Sequence, residues 1–154
     1  MIANLLYIIP TATSQSLFAE GSYGEIELKV HFKKAIKIIS IIIIPAIIVI
    51  FLFGNYILLA FGKEYSDEGF ILLKLLSISG IFIAINAIGS AILNIKQKIK
   101  LMILLSLIST TVILSLSVFL IKMNFFGVVG VGIGWIVGQG IISVIYLLFI
   151  KKLL

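Results

Sequence analysis

Residues 34–60 read KAIKIISIIIIPAIIVIFLFGNYILLA, and this run decides the fold. Beyond Lys37 it carries no charge as far as Ala60, longer than the roughly 20 residues that cross a hydrocarbon core about 30 Å thick. A strand of this length would leave its edge groups without partners in lipid, so the run reads as a membrane-spanning helix. Pro45 near its centre removes a backbone donor and is expected to kink it, and Gly54-Asn55 to break it again.

Similar runs flank it. Spans are expected at residues 2–18, 34–60, 69–94, 101–121 and 127–149, giving an all-α, polytopic bundle of about five helices in one membrane domain. Composition agrees. Of the 154 residues, 62% are hydrophobic and 12% charged, with a mean hydropathy of +1.32, beyond what a soluble domain buries around one core. Residues 1–9 lack a basic leader and a small-residue cleavage site, so they read as a true span and not as a secretory signal.

The connecting segments carry the charge. Segment 19–33 is expected to be a cytoplasmic loop. Within it Ile26, Leu28, Val30 and Phe32 alternate with Glu25, Glu27, Lys29 and His31, which is strand periodicity. An isolated strand beside a membrane has no edge partner, so an interfacial helix resting on headgroups is the favoured reading. Lys29, Lys33, Lys34, Lys37, Lys96, Lys98, Lys100, Lys151 and Lys152 fall on one side of a five-span topology, and Lys63 and Lys122 on the other. Positive-inside bias then places the C-terminus in the cytoplasm and the N-terminus outside, in the cytoplasmic membrane. An odd number of spans beginning outside reads like a cut made in mid-chain.

The net charge of +6 does not imply nucleic acid, because the lysines are dispersed between spans. Cysteine is absent and His31 is the only histidine, placed in the loop, which argues against thiolate, metal and triad chemistry. No Asp, Glu, Arg or His stands in the middle of a span, so a carboxylate-based proton pump is unsupported. The chain is not expected to be an enzyme or to need a cofactor.

Neutral polar residues recur inside the spans at helical spacing. They are Asn4, Tyr7, Thr11 and Ser14; Ser79, Asn86, Ser90 and Asn94; Ser106, Thr110 and Ser117; and Gln139, Ser143 and Tyr146. Two roles stay open. Such groups join helices at about 1 kcal/mol per bond, the commoner use, or line a hydrated cavity that holds sugar hydroxyls. A substrate cavity would draw on Asn4, Tyr7, Thr11, Lys74, Asn86, Ser90, Gln139 and Ser143. Lys74 would cost about 3 kcal/mol at mid-bilayer, and near a helix end it snorkels to the headgroups or meets an anionic substrate group. Gly130, Gly134 and Gly138 form a small-xxx-small line expected to pack one helix backbone against another, with a hinge as the alternative. Pro10 and Pro45 are the expected kink positions.

Several stretches resemble one family. Leu58-Leu59-Ala60-Phe61-Gly62-Lys63-Glu64-Tyr65, followed by Gly69-Phe70-Ile71-Leu72-Leu73-Lys74-Leu75-Leu76-Ser77-Ile78, is similar to a signature of prokaryotic polysaccharide biosynthesis flippases, in the multidrug/oligosaccharidyl-lipid/polysaccharide exporter superfamily. Pro10 to Gly21, Ala91-Ile92-Leu93-Asn94 and Phe126 to Gly132 resemble further segments of it. The resemblance implies a transporter of twelve to fourteen helices in two lobes that flips lipid-linked glycans by alternating access. Its partners would be membrane lipids, a lipid-linked oligosaccharide or polysaccharide precursor, and the missing N-terminal lobe or another membrane subunit. The alternatives are a non-transporting membrane subunit or truncated remnant, and an exporter of drugs or other lipids on the same fold.

Overall fold

The computed structural model describes residues 2–21, 25–123 and 127–153. These form five helices and no strand: α1 (Ile2–Gly21), α2 (Glu25–Leu59), α3 (Lys63–Ile95), α4 (Ile99–Lys122) and α5 (Gly127–Leu153). The all-α bundle expected from the hydropathy pattern is therefore observed. Four helices contain segments long and apolar enough to cross a membrane: Lys29–Leu59, Gly69–Ile95, Ile99–Lys122 and Gly127–Lys151. The chain is a multi-pass membrane protein. α1 is not among these four, because Thr11, Thr13, Ser14, Gln15 and Ser16 dilute its apolar content.

Among the described residues of the loop expected at 19–33, residues 19–21 and 25–33 are helical. α1 runs on to Gly21 and α2 already begins at Glu25, so His31 stands on a helix and not in a loop. At about 1.5 Å per residue, the 35 residues of α2 reach about 52 Å, well past a hydrocarbon core of about 30 Å. α2 is thus longer than one crossing of the core requires, and its lysines cluster toward its N-terminal end. The alternating pattern of residues 25–32 yields because a helix satisfies its own backbone groups where no second strand is available. His31 Nδ1 lies 2.7 Å from Glu20 Oε2, tying the start of α2 to the end of α1 when that nitrogen carries a proton.

Gly54-Asn55 does not break α2, which continues to Leu59, and Pro45 and Pro10 likewise sit inside uninterrupted helices. Asn55 instead binds the next helix: its backbone carbonyl accepts from Ser66 Oγ at 3.3 Å, and its side-chain oxygen accepts from the same hydroxyl. The α2–α3 turn closes through Gly62, whose φ of 126° suits glycine alone. The α3–α4 turn closes over Gln97 in the left-handed region at φ 58°, with the Lys98 N–H bonded to the Leu93 carbonyl at 2.8 Å.

α3 is the hub. It packs against α1, α2 and α5, while α5 packs against α3 and α4, and α3 and α4 touch only sparsely. Contacts of Tyr7 with Leu76 and of Ser143 with Phe82 make α1, α3 and α5 parallel; Gly54 against Phe70 and Gly138 against Ile113 make α2 and α4 antiparallel to them. Two apolar clusters fill the interior. One joins Ile39, Ile43, Ile88, Ile92 and Ile142 toward the lysine-rich end, the other Leu6, Ile50 and Leu73 toward the opposite end. The outer surface is apolar as lipid requires, with Leu52 65% exposed and Leu148 66% exposed.

Candidate functional site

The sparse contact between α3 and α4 leaves a cleft of about 330 Å³, backed by α5. Its polar lining is contributed by three helices: Asn86 and Ser90 from α3, Ser106, Ser109 and Thr110 from α4, and Trp135 and Gln139 from α5. Thr110 and Gln139 stand at the middle of their spans, and Asn86 one turn past the middle of its own. The cleft is thus a neutral, hydrogen-bonding hollow at mid-depth.

One wall is cross-linked. Asn86 Nδ2 donates to Gln139 Oε1 at 2.6 Å and to the Gln139 carbonyl at 3.2 Å. Ser143 Oγ lies 2.9 Å from Asn86 Oδ1, 3.0 Å from the Phe82 carbonyl and 2.8 Å from the Gln139 carbonyl, and its single proton serves one of these at a time. Ser143 is buried behind the cleft and not on its surface. Ser90 pairs with the Tyr146 hydroxyl. The α4 wall differs: Thr110 Oγ1 donates to the Ser106 carbonyl of its own helix at 3.0 Å, and both residues are exposed. Those hydroxyls keep acceptor capacity free of the helix-to-helix bonding.

The other expected cavity residues are dispersed. Tyr7 OH, Ser79 Oγ and the Leu76 carbonyl form a closed triangle with sides of 2.8, 2.8 and 2.7 Å, which joins α1 to α3. Trp135 Nε1 sits beside that tyrosine hydroxyl and is buried without a well-formed hydrogen bond. Asn4 and Thr11 are exposed on α1, and Thr11 Oγ1 bonds the Tyr7 and Ile8 carbonyls of its own helix. Lys74 does not enter the cleft. Its Nζ stands 4.1 Å from the centre of the Phe70 ring and 5.4 Å from that of Phe51, a cation–π pairing between α2 and α3.

Close helix approach shapes the cleft. A Cβ added at Gly134 would overlap Ser117 Oγ and press on the Ser117 backbone nitrogen, and one at Gly138 would overlap Ile113. Both therefore set α5 directly on α4. Gly130 is buried on the same line, and Phe126, where one resemblance opens, lies outside the described residues. Gly89 of α3 plays the matching part toward α5, since a Cβ there would overlap the Tyr146 ring. Sequence reasoning missed Gly89, Ser109 and Trp135. Ser109, three residues after Ser106, had the helical spacing that could have found it; a lone glycine and a lone tryptophan give no such signal.

No protein-family model, characterised protein or solved structure matches the chain. The fold and the cleft define its class on their own: an all-α, multi-pass membrane protein with a neutral polar hollow among its helices.

Proposed function

We propose that this chain translocates lipid-linked oligosaccharide or polysaccharide precursors across the cytoplasmic membrane, as part of a larger or assembled flippase. The observation that carries the reading is the polar cleft at mid-depth. Sugars present hydroxyls that both donate and accept, and hydroxyls and amides without net charge suit them. About 330 Å³ lies within the range of small-molecule sites. Substrate sites of membrane transporters sit near the midplane between helices. The segments that resemble polysaccharide flippases add support, as does the lysine distribution, which favours a cytoplasmic C-terminus.

The test separates cavity from packing. In cells lacking the gene and complemented with it, Ser106→Ala combined with Thr110→Val removes two cleft hydroxyls that bond no other helix. Surface glycan is expected to fall at least about tenfold with unchanged protein level, a loss of about 1.4 kcal/mol in substrate binding. Unchanged glycan would sink the proposal. A second reading, a non-transporting membrane subunit, is favoured by one observation: Asn86, Gln139 and Ser143 satisfy one another within the chain. It forecasts normal glycan in the α4 variant and loss of protein only when Asn86 or Ser143 is replaced.

A further inference from the structure

A second hollow lies between α2 and α3, away from the polar cleft. It measures about 260 Å³ and is walled by Ile36, Ile39 and Ile43 of α2 and by Ile81, Ile85 and Ile88 of α3. Ser40 and Ala84, the two smallest lining side chains, make the room. A packed helix is about 10 Å across, too wide for this space, whereas a single extended hydrocarbon chain fits it.

The mouth of the hollow is charged. Along α2, positions 33, 36, 40 and 43 follow steps of three and four and share one face, so Lys33 stands one turn above Ile36. Lys37 stands one turn above Ser40 in the same way. Both lysines are exposed, and they stand near the N-terminal end of the apolar segment of α2. Lys34 points elsewhere, into a small polar recess with Glu20 and His31 against α1. Glu25 and Glu27 come before both lysines in the chain, at the start of α2. An apolar slot that ends under two exposed cations has the two-part chemistry of a lipid with a negative head.

We infer that the α2–α3 groove holds one acyl chain of an anionic phospholipid, with its phosphate over Lys33 and Lys37. The lipid comes from the leaflet that meets the N-terminal end of α2. The inference does not depend on what the cleft transports.

Native mass spectrometry of the purified full chain tests it, using phosphatidylglycerol and phosphatidylcholine of identical acyl chains. Phosphatidylglycerol is expected to be retained preferentially. Each lysine near a membrane surface is worth about fivefold in affinity for anionic lipid, so Lys33→Gln with Lys37→Gln should weaken its binding about 25-fold. Lys34→Gln should leave it unchanged. Ala84→Phe, which fills the groove, should reduce retention of both lipids; Ser40→Phe fills it from the opposite wall should the first variant fail to fold, with helix content checked by circular dichroism. Equal retention of the two lipids by the native chain would overturn the inference. Full phosphatidylglycerol retention in a folded groove-filling variant, or displacement by inorganic phosphate alone, would overturn it too, leaving only surface attraction or a free-anion site.

Discussion

Gly134 and Gly132 are two residues apart, yet they report different neighbours. A methyl group at Gly134 meets the Ser117 backbone, which cannot give way, whereas at Gly132 it meets the far end of Leu72, which can rotate. Gly134→Ala is therefore expected to cost about 1–3 kcal/mol and Gly132→Ala much less, as read by reversible unfolding in mixed micelles. Equal costs would contradict the observed α4–α5 approach. Asn86 and Gln139 should couple by about 0.6–1.7 kcal/mol in a double-mutant cycle to leucine, the range of hydrogen bonds between membrane helices. The polar residues themselves were legible in the sequence, and so was their sharing of faces. What periodicity does not contain is how each helix is rotated against its neighbours. Packing turned Asn86 and Gln139 toward each other, Tyr7 onto Ser79, and Asn4 and Thr11 outward. Lys74 found Phe70 one turn back on its own helix and Phe51 on α2, and only the second could not be announced by its own helix.

Helix ends illustrate a different balance of forces. Four of the expected apolar runs fall on helices long and apolar enough to cross a membrane, as suits a lipid that tolerates neither charge nor unpaired backbone. Between the runs that constraint fades, yet residues 25–32 still fold as the helix favoured over their strand-like alternation. Turn chemistry then decides where each helix stops. Gly62 at φ 126° should resist any side chain, so Gly62→Ala is expected to destabilise the α2–α3 hairpin by about 1–3 kcal/mol. Gln97 carries the opposite burden, a side chain in the left-handed region at φ 58°. Gln97→Gly should stabilise by up to about 1 kcal/mol, seen as a higher unfolding midpoint. A lower midpoint would show that the glutamine side chain contributes more than its backbone strain costs. Pro45 lies in a helix that continues on both sides of it.

Taken as a whole, the molecule is built around α3, with α1 and α2 to one side and α5 and α4 to the other. That arrangement follows from up-and-down connection of helices through short turns at residues 60–62 and 96–98. It leaves α3 and α4 apart over most of their length, and the cleft is the consequence. The all-α bundle was legible from hydropathy, whereas which pair would separate was not, since that depends on glycine contacts drawing α5 onto both neighbours. The chain contains no cysteine, so single cysteines report cleanly on their surroundings. A thiol reacts as its thiolate, which needs water beside it. The decisive measurement is the labelling rate by a membrane-impermeant maleimide, in native membranes opened to both faces, of Thr110→Cys in the cleft and of Leu114→Cys one turn along the same helix. Leu114 is 60% exposed on the apolar surface. Fast labelling at position 110 and slow labelling at 114, with added lipid-linked glycan protecting 110, is the result expected of a hydrated substrate cleft; equally slow labelling at both positions would mean that lipid or a packed helix fills it.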